Sequence, residues 1–294
     1  MNPSPMIEQF SSAEFWRSLE PAMHVADVPF MHGVQPMKLD EPTLAALRHL
    51  MRTEGYFQLP PQNWSLPIAD MAALIARLDA KGWPLPFCFV YDEFWLMYYR
   101  LHILIEGLLG SGYLRLPDFW AWLVNPRKAD SGWSPHRDKG HSALFADGTP
   151  KALTVWLPLT DATPLNGCMY IVPADRDPAY GTVNDNKPAH KAADIRALPA
   201  QAGSVLSWNQ AVLHWGSHSS PRETAPRISL AFEFQSAQAE PLNTPLTRPQ
   251  EIPNFEFRLR LIAKQILQYR HMYPLSDDVA AMAQVLHGED LSPG

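Results

Sequence analysis

Trp133-Ser-Pro-His136-Arg-Asp138-Lys-Gly140 sets an imidazole and a carboxylate two residues apart. In extended chain, side chains at i and i+2 share a face, so His136 and Asp138 can point at one atom. Imidazole nitrogen with carboxylate oxygen suits a divalent first-row metal, and a second histidine would complete a two-His, one-carboxylate set. The pair is weak on its own. With 11 His and 30 acidic residues in 294, roughly one His-x-Asp/Glu arises by chance. A second one, His287-Gly-Glu289, reads as the end of a helix. What lifts the first pair is its surroundings.

Downstream and upstream of it, short β-type runs recur between Pro, Gly and Asp: Phe119 to Val124, Ala152 to Leu157, Cys168 to Val172, Ser204 to Trp208, Val212 to Gly216 and Arg227 to Phe234. The last alternates Ile228, Leu230, Phe232 and Phe234 against Ser229, Ala231 and Glu233. Short antiparallel strands at this spacing predict a sandwich, barrel or jelly roll. The stretch from Ala174 to Gly203 is polar and rich in Pro, Ala and Asp, which suits a lid or insertion over a site.

The flanks read as helices. Residues 1–39 form a proline-containing lead-in without a clear period. Asp40 caps a helix with Leu44, Leu47, Leu50 and Met51 on one face, closed by Gly55, and a short strand follows from Tyr56 to Leu59. Ser65 and Pro67 open a second helix that Gly82 ends, and one longer helix is expected from Asp92 to Leu109. At the far end, Asn254 caps a helix through Tyr269, and Ser276 with Asp277 begins a last one stopped by Gly288. The expected fold is therefore mainly β with flanking helices (α+β), a single domain over 1–294. It divides into a helical 1–110, a β core at 111–236 with a 174–203 lid, and C-terminal helices at 250–290.

Composition narrows the function. Hydrophobic residues make up 46% and charged residues 18% of the chain, as in a folded globular protein. A net charge of −6 without a basic run argues against nucleic acid or an anionic membrane as partner. Phe87 to Leu109 is interrupted by Asp92, Glu93, Arg100 and Glu106, a poor spanning segment. The start has neither a basic n-region nor an apolar h-region, and two cysteines make no disulfide framework, so a cytoplasmic protein with a small-molecule substrate is expected.

The second histidine should lie on a late strand. His214 ends an apolar one, and His218 in the polar Ser-His-Ser-Ser loop is its competitor. Arg227 and Ser229, two apart on the last strand, project together into the barrel. A buried guanidinium needs an anion, and its fork matches a carboxylate, so a dicarboxylate reaching from metal to arginine would meet the need. Six of the ten tryptophans, at 120, 122, 133, 156, 208 and 215, fall in this region. Most are expected to pack the core; Trp133 and His141 are candidates for a cavity mouth.

In order, His136-x-Asp138, Trp156-Leu-Pro-Leu-Thr-Asp-Ala-Thr-Pro-Leu-Asn166-Gly167-Cys168-Met-Tyr-Ile-Val-Pro173, His214-Trp-Gly-Ser217 and Arg227 resemble the phytanoyl-CoA dioxygenase family. The resemblance runs from about Glu41 to Phe234, since the leucine-rich helix before Glu54-Gly55-Tyr56 also resembles that family's start. It implies a double-stranded β-helix (jelly roll, cupin-like) and a hydroxylase that uses Fe(II), 2-oxoglutarate and O2 and releases succinate and CO2. It makes His136, Asp138 and His214 the iron ligands. It puts Arg227, with Ser229 beside it, on the distal carboxylate of 2-oxoglutarate, and Trp156 and Ser217 in that co-substrate's pocket. Two features depart from the family: Pro173 leads into Ala-Asp-Arg-Asp rather than Gly-Ser-His, and the spacing from His214 to Arg227 is longer, which keeps Arg222 as a rival anion anchor. A different class stays open, a cupin-like metal-binding protein or isomerase without 2-oxoglutarate, which has no use for Arg227-x-Ser229.

Overall fold

The computed structural model describes residues 5–187, 190–273 and 275–288. Its centre is β8 (Arg227–Gln235), a strand buried along its whole length. Ile228, Leu230, Phe232 and Phe234 turn one way into the main apolar core, whereas Ala231 turns the other way into a second, smaller core. β3 (Ala152–Pro158) pairs antiparallel with it and divides alike, Leu153, Val155 and Leu157 to the main core and Trp156 to the smaller. Period-two alternation thus gives one face to the helices and the other to a facing sheet. Each such large apolar side chain contributes about 1.5–3 kcal/mol by leaving water.

The larger sheet is antiparallel in the order β1-β6-β3-β8-β2, with β1 at Tyr56–Leu59, β2 at Leu114–Val124 and β6 at Val205–Asn209. The smaller has the order β5-β4-β7, with β4 at Met169–Val172, β5 at Arg196–Leu198 and β7 at Leu213–Gly216. Between β3 and β8 the chain passes back and forth between the sheets, which makes the pair a double-stranded β-helix. The helices flank this core, as the sequence pattern predicts.

The helices are α1 (Pro5–Phe10), α2 (Ala13–Leu19), α3 (Val28–Gly33), α4 (Glu41–Thr53), α5 (Ile68–Ala80), α6 (Asp92–Arg100), α7 (His102–Leu109), α8 (Phe255–Gln268) and α9 (Asp277–His287). Asp40, Asn254 and Ser276 cap α4, α8 and α9 through their side chains. The main core runs continuously from Phe10 to Ala283, so both ends of the chain pack on one face of the larger sheet. Tyr98 of α6 lies 4.2 Å from the ring of Phe232. A buried ion pair ties the ends together: Asp92 meets Arg258 Nη1 at 2.5 Å and accepts the Ala26 and Asp27 N–H groups. Among the described residues no helix is long and apolar enough to cross a membrane.

Three expectations change. The lead-in carries three short helices, α1 to α3. The helix expected from Asp92 to Leu109 breaks at Leu101, because the Arg100 carbonyl accepts from Met37 N–H at 2.9 Å instead of continuing its own helix. Within the 174–203 stretch, residues 196–198 are β5, paired to β4 through Met169↔Leu198, so this part belongs to the sheet. Of that stretch, positions 188 and 189 lie outside the described residues, as does Glu289 of the His287-Gly-Glu289 motif.

Candidate metal centre

His136 and Asp138 sit in the loop after β2, and His214 sits in β7. The loop lies along β7 as a fragment of extra strand: His136 N–H donates to His214 O at 3.0 Å and His214 N–H to His136 O at 2.9 Å. Close approach is possible because two glycines face each other. A Cβ on Gly132 would stand 2.4 Å from the Cα of Gly216. Arg137, between the two ligands, points the opposite way into a buried site, donating to Asp177 at 2.6 Å, to Ala211 O at 2.6 Å and to Asp185 O at 2.8 Å. Residues 177 and 185 of the polar stretch therefore grip the loop from behind.

The Nε2 atoms of His136 and His214 each lie 3.5 Å from Asp138 Oδ1. One ligand atom from each of the three residues falls within 4.8 Å of the others. Both histidines have Nδ1 on a backbone carbonyl, His136 on Ser134 O at 2.8 Å and His214 on Val212 O at 3.1 Å. That bond places the proton of a neutral ring on Nδ1 and leaves Nε2 as a lone-pair donor. The remaining oxygen of Asp138 accepts from Thr154 Oγ1 at 2.7 Å and Trp208 Nε1 at 3.1 Å, which fixes the plane of the carboxylate.

Burial works against charge in all three. It depresses His214 to about 4, so this ring is neutral at ordinary pH. It also opposes protonation of His136, but the hydrogen bond and charge of Asp138 outweigh it and raise that ring. In Asp138 burial would push the carboxyl up, yet the two imidazoles and the Thr154 hydroxyl hold it below the usual carboxylate range. An anionic oxygen and two imidazole nitrogens converging on one point fit a divalent first-row metal.

The cluster opens into a cavity of about 240 Å³ whose lining includes Trp120, Trp122, Trp133, Trp156, Trp208, Arg227, Glu233 and Tyr269. Five of the six tryptophans in this region thus face the cavity rather than only packing the core; Trp215 instead stacks on Tyr170. At one end lies Arg227, 3% exposed. Its Nη1 donates to Ser229 Oγ at 2.8 Å, its guanidinium lies 5.4 Å from the Trp156 ring centre, and its Nε has no partner among the described residues. Burial depresses this guanidinium to about 10. Arg222 is exposed and His218 stands outside the cluster. Ser217 follows β7, its N–H on Cys168 O at 3.2 Å, and lies outside the cavity lining. His141 is also outside it, held by Asp185.

Sequence reasoning missed Glu233, Thr154, Gln210 and Tyr269. Glu233 had a signal: it is in phase with Arg227 and Ser229 and shares their inward face. Gln210 Nε2 donates to Glu233 Oε2 at 2.8 Å and to Thr154 Oγ1 at 3.3 Å, which links Glu233 to the ligand Asp138. Tyr269, at the end of α8, lies 4.4 Å from Trp120 and donates to the buried Asp118. No local pattern announces a contact between the C-terminal helix and β2.

Fold and site together define a double-stranded β-helix protein with a two-His, one-carboxylate centre. The phytanoyl-CoA dioxygenase (PhyH) family model matches residues 104–224, so the resemblance to that family is borne out there. Arg227 and Ser229 lie just past the matched stretch. Solved structures share the fold. The non-heme α-ketoglutarate-dependent epimerase SnoN from nogalamycin biosynthesis is similar at 22% identity and a TM-score of 0.53, over 67% of this chain and 82% of that one. The non-heme monooxygenase ThoJ is similar at 16% and 0.54, over 81% and 99%. HygX from Streptomyces hygroscopicus, with nickel and 2-oxoglutarate bound, is similar at 15% and 0.51, over 68% and 88%.

Proposed function

We propose that this chain is an Fe(II)- and 2-oxoglutarate-dependent dioxygenase that hydroxylates a small organic substrate and releases succinate and CO2. One observation carries the reading: the buried Arg227 has no anionic partner within ion-pair distance among the described residues, and it faces the same cavity as the His136, Asp138 and His214 cluster. A guanidinium buried without an anion is costly, and a dicarboxylate ligated to the metal at its other end removes that cost. A cupin-like isomerase leaves Arg227 unexplained. SnoN has been seen with Fe3+ and α-ketoglutarate, and HygX with nickel and 2-oxoglutarate, which supports the same pairing here. The two buried free thiols, Cys88 and Cys168, suit a reducing compartment, and the cytoplasm is the proposed location.

When bound, iron with 2-oxoglutarate supplies the activation of O2. The chain's own residues do the rest. His136 and His214 present Nε2 because their Nδ1 atoms are tied to backbone. Thr154 and Trp208 hold Asp138 in one orientation. Arg227, steadied by Ser229, takes the far carboxylate of the co-substrate, and Trp156 screens that pair from water. Trp120, Trp122 and Trp133 wall the side left for substrate. The test is succinate formation from 2-oxoglutarate with a panel of small metabolites, together with a product gaining one oxygen atom from O2. Substrate turnover that needs neither 2-oxoglutarate nor O2 would reject the proposal.

A further inference from the structure

The inward face of β8 carries two buried ionisable groups, one basic and one acidic. Arg227 stands at one end and Glu233 at the other, six residues on, about 20 Å along an extended strand. They are too far apart to neutralise each other. Glu233 is 6% exposed and lines the cavity. Its carboxylate accepts from Gln210 Nε2 at 2.8 Å and Trp120 Nε1 at 3.4 Å, both neutral donors. Among the described residues it has no ion pair. Lys139, half-buried on the cavity wall, acts on it from beyond ion-pair distance, whereas Asp118 and Asp138 add like charge. Burial first, then those two carboxylates, push Glu233 up to about 8.

A carboxylate in such a place either keeps a proton or awaits a cation. Its neighbours favour the second. Trp120, Trp122, Trp133 and Tyr269 share the cavity wall with it, and Trp120 and Trp122 stack with centroids 5.4 Å apart. Aromatic rings attract cations through their quadrupoles, the more so when water is excluded. Trp133 is 38% exposed, so this wall of the cavity reaches solvent. A fatty acyl chain or an anionic substrate gains nothing from a buried carboxylate on the cavity wall.

Resting on the function proposed above, we propose that the substrate is a small organic amine or quaternary ammonium compound, its cation held by Glu233 within the rings of Trp120, Trp122, Trp133 and Tyr269. Glu233 is then a specificity-determining residue, and its links through Gln210 and Thr154 to Asp138 set the substrate's charged end at a fixed place relative to the metal.

The test is a ligand-observed NMR titration on protein loaded with diamagnetic zinc and 2-oxoglutarate, with n-butylammonium, 1-butanol and butyrate as probes. The butylammonium ion should saturate one site with a dissociation constant at least about tenfold below that of 1-butanol, and butyrate should bind no better than the alcohol. Glu233→Gln, with its melting point checked, should reduce the amine to the affinity of the alcohol. Equal binding of amine and alcohol by the wild type, or unchanged amine binding by Glu233→Gln, overturns the proposal without recourse to any other variant. The signals of 2-oxoglutarate in the same samples report the co-substrate separately. If 2-oxoglutarate binds and the amine does not, this inference fails while the oxygenase reading stands; if the amine binds and 2-oxoglutarate does not, the reverse holds.

Discussion

His136 and His214 hold each other's main chain, each donating its N–H to the other's carbonyl at 3.0 and 2.9 Å. The two imidazoles are therefore set side by side, ring centres 4.4 Å apart, by backbone pairing that needs no metal. A site prepared in this way is sensitive to loss of a ring but not to loss of a fold. His136→Ala, His214→Ala and Asp138→Ala should each bring bound iron to background, with melting points close to wild type because the backbone pair survives. His218→Ala should bind iron normally. Metal analysis after gel filtration reads this; full occupancy in His214→Ala would mean the metal sits elsewhere.

Arg227→Ala should raise the 2-oxoglutarate requirement on the order of a hundredfold, since a charge-assisted bidentate pair is worth a few kcal/mol. Arg222→Ala, at an exposed position, should leave it unchanged. Iron content should be normal in both. Titration of 2-oxoglutarate against succinate production measures the effect, and the opposite assignment of the two arginines would transfer the anchor to the loop.

Glu233 gives a pH signature. Its folded pKa is raised above the unfolded value, so the folded state binds the proton more tightly. Its contribution is fully present below the unfolded pKa, is lost as pH rises toward about 8, and levels off above it. Glu233→Gln should therefore gain a few degrees in melting temperature over wild type at pH 9 in the metal-free protein, and nothing at pH 4. A difference independent of pH would show that Glu233 is not buried as described.

Asp92→Ala should be destabilising by about 3–5 kcal/mol, because it strands the buried Arg258 guanidinium and frees two backbone N–H groups of the lead-in. Denaturant unfolding at constant slope measures it. Asp92→Ala within 1 kcal/mol of wild type would mean the termini are joined by apolar packing alone.

The parts legible in the sequence are those with local causes. Asp40, Asn254 and Ser276 are capping residues before periodic apolar runs, and the alternation in 228–234 reports both faces of β8. The His-x-Asp spacing relies on extended chain, as the sequence suggests, but the loop gains it only by bridging to β7, a distant contact that no local pattern records. What remained hidden depends on distant contacts. β5 has only three residues, too few for a pattern. The break at Leu101 comes from a carbonyl taken by Met37, which no helical period records. Alternation puts Glu233 on the inward face of Arg227 and Ser229, but it does not record which groups from other strands meet it there.

The central claim is that one cavity holds a metal on His136, Asp138 and His214 and a dicarboxylate on Arg227. Anaerobic absorption spectroscopy of the iron-loaded protein tests it most directly. Adding 2-oxoglutarate should produce the weak visible charge-transfer band of a chelated keto acid, saturating in wild type, shifted to roughly hundredfold higher concentration in Arg227→Ala and missing in His214→Ala. Tight iron binding with no band at any concentration of 2-oxoglutarate would contradict the account.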